Sequence, residues 1–199
     1  MNADTRNRIV EAAKELFWQK GYNSTSIADI LSRTQVHSGS LYHFFPGKQD
    51  LLIGVLESHS ERIGPDLLDY AWQGIDDPID KIFALLGGYR TALLTTECSF
   101  GCPIGSLALE LHEPDPKVRA LMAENFDNWT RAIEGCLEDA ADRLPPDTDR
   151  RALAEFVLTT MEGAVMQCRT QRDIGFFDRS IAMLRKHIDM LMAGVTADA

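Results

Sequence analysis

Apolar side chains recur at intervals of three and four along most of this chain, the spacing of helices with a buried face. Ile9, Ala12, Ala13, Leu16 and Phe17 predict an amphipathic helix over Thr5–Lys20, with Gly21 as the residue that ends it and Tyr22 folding back. Ile27, Ile30 and Leu31 form one apolar face of a short second helix, with Thr25 or Ser26 able to cap it and Asp29 in its first turn. Val36 stands in the connection, where it can plug the angle between two helices. Ser38 can cap a third helix, which Leu41, Phe44 and Phe45 anchor and Pro46-Gly47 ends.

Beyond Lys48 the apolar stripes lengthen. Gln49 to about Tyr70 reads as one long helix that Gly64-Pro65 could kink. Asp76-Asp77-Pro78 opens a helix carrying Ile79, Ile82, Phe83, Leu85, Leu86 and Tyr89. Cys102-Pro103 opens a short one to about Leu111. Pro114-Asp115-Pro116 opens another, with Val118, Met122, Phe126, Trp129, Ile133 and Leu137 in a stripe that Leu144-Pro145-Pro146 breaks. Two helices remain, over 148–172 and 176–192, and both are apolar on more than one stripe, so each must bury more than one side. The expected architecture is all-α, with a three-helix domain over 1–48 and a larger helical domain over 49–199.

The pattern of 25–48, a short helix, a tight connection and a second helix with small, hydroxyl, phenol and imidazole groups on its open face, is the layout of a helix-turn-helix DNA reader. Tyr42 and His43 are the leading candidates for DNA contact, and Lys48, at a helix start, for a phosphate contact. Thr25 and Ser26 can donate to phosphate, and Arg33, Ser38 and Ser40 complete the candidate set. The segments 9–22, 25–30 and 39–52 resemble, in order and spacing, the TetR family of one-component transcriptional regulators. The resemblance implies a homodimer that binds a palindromic double-stranded operator and is released by a small effector. Two positions depart from the family pattern. Gln35 stands where many relatives have Gly, so it would need a left-handed backbone; Ser38 stands where many have Lys, with the unusual His37 beside it.

Charge sharpens the division. The net charge of the 199 residues is −10, which on its face argues against nucleic acid. Residues 1–50, however, hold six Lys/Arg against five Asp/Glu, and the acidity lies in the remainder. A near-neutral head implies modest non-specific affinity and reliance on dimerisation. With a polar N-terminus and no apolar run near the length of a membrane span, the expectation is a cytoplasmic protein without membrane contact. Four scattered cysteines predict no disulfide scaffold.

For the second domain, Phe83, Tyr89, Phe100, Cys102, Met122, Phe126, Trp129, Phe156 and Met161 are candidates to line an effector cavity, with Arg90, His112, Glu162 and Gln167 as possible polar groups. The effector would be apolar or electrophilic. Val157, Leu158, Met161, Val165, Leu184, Ile188 and Leu191 are the candidate dimer interface, forming a four-helix bundle with a second copy; the plain alternative is burial within one chain. Cys102, ahead of Pro103 at a helix start, is placed for a lowered thiol pKa, and Cys98 lies four residues earlier. This supports an alternative, a thiol-based sensor of electrophiles or oxidants, and the segment from Cys102 to Leu111 looks like that of family members with this behaviour. A metal held by Cys98, Cys102 and His112 is a weaker reading for want of a fourth ligand, and no cofactor is expected. A chain with none of the phosphate-loop, dinucleotide, zinc-protease or nucleophile-elbow motifs, and only an unoriented Cys102–His112 pair, is not read as an enzyme. A helical dimer that has lost DNA binding is the other alternative, motivated by Gln35 and Ser38.

Overall fold

The computed structural model describes residues 3–64 and 68–197. Among them no strand occurs, and the helices run α1 (Ala3–Lys20), α2 (Ile27–Thr34), α3 (Ser38–Phe44), α4 (Lys48–Ile63), α5 (Asp69–Trp72), α6 (Pro78–Thr95), α7 (Pro103–Glu110), α8 (Pro116–Asp139), α9 (Arg150–Gln171) and α10 (Gly175–Ala197). The fold is all-α, as the periodicity requires. The helix expected over 49–70 is α-helical to Ile63, takes π geometry at Gly64 and again at Leu68, and has a further α turn at Asp69–Trp72. Pro65, half of the expected kink, lies outside the described residues.

The starts and stops have local causes. Gly21 ends α1 in the left-handed region at φ 85°, donating its N–H to Phe17, and Tyr22 packs edge-on against Phe17 with ring centroids 5.2 Å apart. Asp77 caps α6, its carboxylate accepting from the N–H groups of Ile79 and Asp80. Asp149 caps α9 by accepting from Ala152. The first helical residue of α6, α7 and α8 is a proline, where its missing N–H costs nothing.

The chain forms two compact units, and neither is one continuous segment. The first comprises residues up to Arg62 together with Cys102–Phe126; the second comprises Ile63–Gly101 and Asp127 onward. The boundary expected after Lys48 therefore falls inside the first unit. The reason is burial: Leu51, Leu52, Val55 and Leu56 of α4 are at most 1% exposed, each apolar side chain so removed from water contributing roughly 1.5–3 kcal/mol. The start of α8 is tied to the same unit, with Asn125 donating to the Leu56 carbonyl at 3.1 Å.

In the second unit α9 lies along α10 and both meet α6. Arg90 of α6 grips Asp178 of α10 through two bonds of 2.7 and 3.0 Å, and Arg185 of α10 reaches Asp80 of α6 at 2.9 Å. Val157, Leu158, Met161 and Val165 of α9 and Leu184 and Ile188 of α10 are all buried within the single chain. This corrects their assignment to a dimer face: they are the core that joins α9 to α10, and Leu191 is half-buried beside them. The face left open carries Phe156, Met166, Met183 and Met190, between 46% and 65% exposed. Both stripes are apolar, so periodicity could not say which of them pointed inward.

Candidate nucleic-acid interface

The reading motif is built from a capped helix, a strained turn and an open helix. Ser26, extended at φ −96° and ψ 160°, caps α2 in a reciprocal box: its hydroxyl accepts from the Asp29 N–H, and the Asp29 carboxylate accepts from the Ser26 N–H. The Ser26 hydroxyl, its backbone N–H and the cation of Lys20 together hold the Asp29 carboxyl below the usual range. At the other end, Arg8 donates to the Thr34 carbonyl at 2.7 Å, a cation on the negative end of the helix.

Gln35 does adopt the left-handed conformation, at φ 55° and ψ 26°. The turn holds it with two bonds, its N–H to the Leu31 carbonyl at 2.9 Å and its side-chain amide to the Ser32 carbonyl at 2.7 Å. The residue that caps α3 is His37, which contributes no side-chain bond. Ser38 is the first helical residue instead, and it is exposed.

α3 then sorts its side chains by face. Leu41 and Phe45 are buried, while Phe44 is half-buried against the His43 ring, with centroids 5.1 Å apart. Ser38, Gly39, Tyr42 and His43 are exposed and Ser40 is partly so. A side chain added at Gly39 would meet nothing within 4 Å. No carboxylate occurs between Asp29 and Asp50, so the segment that carries the open face has Arg33, Lys48 and two histidines and no acid of its own.

The remaining candidates divide. Lys48 sits at the start of α4 with its ammonium 4.3 Å from the Tyr22 ring centroid and 3.5 Å from the Asn23 carbonyl, a preset position beside α3. Burial lowers its pKa, and the nearby Glu110 charge opposes that. Arg33 is held on the α1 side, 2.6 Å from Glu15. Thr25 needs correction: it is 1% exposed and its hydroxyl donates to the carbonyls of Gly21 at 2.7 Å and Leu16 at 3.3 Å. It is a buried tie between α1 and the motif and is not available to phosphate. Arg8 and Glu110, which brace the motif from α1 and α7, carried no sequence signal, because each acts on backbone groups far away in the chain.

The effector candidates are distributed over both units. Cys102, Met122 and Phe126 belong to the first unit and the other six to the second. Tyr89 and Trp129 pair with ring centroids 5.3 Å apart, and the Phe83 ring lies under the Arg185 guanidinium at 4.7 Å. Phe100 is half-buried and Met161 is buried. Phe156 is 48% exposed and edge-on to His187, lining an open groove between α9 and α10, so it does not line an interior cavity.

Cys102 does cap α7, its sulfur accepting from the Gly105 N–H at 3.5 Å, but it is only 4% exposed. A reactive sensor thiol needs solvent access as well as a helix start. A turn with Glu97 and Cys98 both in the left-handed region turns the Cys98 sulfur to that of Cys168, which donates to it at 2.9 Å. Burial first, and then this contact, push the Cys168 thiol up to about 12. Among the described residues no group of three or more His, Cys, Asp or Glu could hold a metal. No described helix is long and apolar enough to cross a membrane.

Comparison with known proteins adds three findings. Residues 9–55 match the bacterial regulatory proteins of the tetR family, and residues 78–183 match the C-terminal domain of LmrA/YxaF-like transcriptional regulators. An HTH-type transcriptional regulator of Mycobacterium tuberculosis is 31% identical over 90% of this chain and 92% of its own length; the HTH-type regulator LmrA of Bacillus subtilis is 31% identical over 69% and 77%. A solved regulatory protein TetR from Rhodobacter sphaeroides superposes with a TM-score of 0.82 at 24% identity, covering 91% of this chain and 97% of that one.

Proposed function

The chain belongs to the tetR family of bacterial regulatory proteins, with an LmrA/YxaF-like C-terminal domain, and on that premise we propose that it is a homodimeric repressor whose α3 reads a palindromic operator and whose second unit takes up a small apolar effector. The family is one of DNA-binding helix-turn-helix regulators and not of enzymes. The single observation that carries the reading is the outer face of α3: Ser38, Gly39, Ser40, Tyr42 and His43 open to solvent, with no acid nearby in sequence and Lys48 preset beside them.

Dimerisation is assigned to the open face of α9 and α10. Phe156, Met166, Met183 and Met190 are flexible or flat apolar groups in water, and four such side chains along two adjacent helices suit a bundle with a second copy. Two α3 helices would then enter successive major grooves about 34–36 Å apart. The effector is placed near the Tyr89–Trp129 pair, where aromatic surface from α6 and α8 meets. Its binding lowers operator affinity only in so far as it prefers one of two states, and a coupling of about 1–3 kcal/mol changes that affinity roughly 5–150-fold.

The test is a footprint of the purified protein on DNA flanking its own coding region. Protection of a palindrome, lost on adding an apolar compound that also quenches tryptophan emission, is the expected result. Absence of any protected site would overturn the operator reading, and protection that no apolar compound relieves would overturn the effector reading.

A further inference from the structure

We propose that Glu110 is a positioning residue for DNA binding: its carboxylate clasps the α1–α2 turn and thereby holds Lys48 where the operator phosphate is met. The inference rests on the DNA-reading assignment above. Three separate observations lead to it.

First, both carboxylate oxygens are used. The Tyr22 N–H donates to Oε2 at 2.9 Å and the Asn23 N–H donates to Oε1 at 2.6 Å, a two-point grip on consecutive amides 87 and 88 residues away in sequence. Such charge-assisted bonds are about twice as strong as neutral ones. Second, the turn is shaped to receive it. A side-chain carbon at Gly21 would lie 3.0 and 3.1 Å from the two oxygens, and Gly21 has φ 85°. The glycine both makes the turn and vacates the seat. Third, the gripped residues are the ones that hold Lys48. Its ammonium lies 4.3 Å from the Tyr22 ring centroid and 3.5 Å from the Asn23 carbonyl.

The placement of Glu110 within α7 supports a purpose outside that helix. It is the last helical residue, where the negative end of the dipole disfavours a carboxylate. The turn amides offset that cost. The chain of contact therefore runs from α7 to the turn and from the turn to Lys48, at the start of the helix that follows α3.

A positioning role and a mere charge effect differ in sign. Glu110 is an anion near a DNA-facing lysine, so deleting it by electrostatics alone should tighten DNA binding. Loss of the clasp should weaken it. The experiment measures operator affinity and its salt dependence for the wild-type dimer, Glu110→Gln, Glu110→Ala, Lys48→Ala and Glu110→Ala/Lys48→Ala, with backbone amide exchange at Tyr22 and Asn23 followed without DNA. Glu110→Ala should bind about 5–30-fold more weakly, the effect of one to two kcal/mol, with Glu110→Gln in between. Its salt slope should fall by about one, as for loss of one phosphate contact. In the Lys48→Ala background the Glu110 effect on operator affinity should largely vanish, while the loss of thermal stability caused by Glu110→Ala persists. Amide exchange at Tyr22 and Asn23 should accelerate at least roughly tenfold in Glu110→Ala, in keeping with a lost charge-assisted bond. Unchanged or tighter operator binding, an equal effect with and without Lys48, or unchanged exchange at the two amides would each overturn the proposal. A wild-type protein without an operator would instead sink the DNA-reading assignment, and the exchange measurement would still judge the clasp.

Discussion

Two open faces of this molecule, the outer side of α3 and the outer side of α9 and α10, are both unexplained by the needs of a single folded chain, yet they are unlike in chemistry. The α3 face is small and polar, with one large ring, Tyr42, 51% exposed. The α9–α10 face is large and apolar, with three methionines and a phenylalanine in water. A polar face backed by an apolar anchor suits a wet, charged ligand whose grooves must be entered. An apolar face of polarisable side chains suits another protein surface, and a second copy supplies it by symmetry. The difference teaches that exposure marks a surface for use, and that the chemistry of the exposed groups says for what.

The largest effect should come from confusing the two apolar stripes of the bundle helices. Leu184 is 2% exposed inside the chain and Met183, its neighbour, is 64% exposed. Leu184→Glu puts an unpaired charge in the core and should cost on the order of 4 kcal/mol or more, read as loss of the cooperative unfolding transition. Met183→Glu combined with Met190→Glu should leave the helical signal intact and give a monomer in sedimentation. A folded Leu184→Glu protein, or a charged-methionine variant that remains a normal dimer, would reverse the assignment of the stripes.

A second contrast lies within the head, between Thr25 and Tyr42, both hydroxyl-bearing and both candidates for DNA contact on sequence. Thr25→Val should lower stability by about 1–2 kcal/mol, since its hydroxyl ties α1 to the motif, and any loss of DNA affinity should follow that loss of stability. Tyr42→Ala should do the opposite, lowering affinity without moving the unfolding midpoint. If Thr25→Val reduces affinity at unchanged stability, the buried assignment fails.

The contrast extends to pH. His59, on α4, is pushed down to about 4 by burial and by the Lys14 charge. The unfolded imidazole takes up its proton near 6.5, so between these values the unfolded chain binds more protons and stability rises with pH. The folded head should lose roughly 2–3 kcal/mol between pH 6.5 and 4 through this group, and His59→Gln should flatten that part of the curve. An unaltered pH profile in the variant would show that the group is solvated.

Smallest is the effect at Gln35. A left-handed non-glycine residue costs about 1 kcal/mol, so Gln35→Gly should raise stability slightly, less the amide bond to Ser32 that it gives up. A clear loss of stability would mean that this bond outweighs the strain.

How much of this was legible beforehand follows from the same contrast. In the head, short helices with one apolar face leave little freedom: Ile30 and Leu41 had to point inward, so Tyr42 and His43 had to point out, while the left-handed Gln35 was legible only through the family resemblance, which puts Gly at that position. In α9 and α10 the apolar positions exceed one face. Their number announces two buried sides, but Val157 and Phe156 are equally apolar, and only packing against α6 and each other decides which is inside. The effector candidates could not be ranked from sequence for a related reason, since an aromatic residue suits either an exposed face, as Phe156 does, or a pair within the unit, as Tyr89 and Trp129 do. Glu110 and Arg8 were invisible because their partners are backbone groups, which every residue carries and no sequence pattern marks.

The central claim, that the open face of α3 with Lys48 reads operator DNA, is tested most directly by titrating the footprinted operator with wild-type protein, Tyr42→Ala and Lys48→Ala at physiological salt while following thermal unfolding of each. Both variants should bind roughly tenfold or more weakly, the effect of about 1.4 kcal/mol, with unfolding midpoints unchanged and a shallower salt dependence for Lys48→Ala. Full operator affinity in both variants would contradict the account.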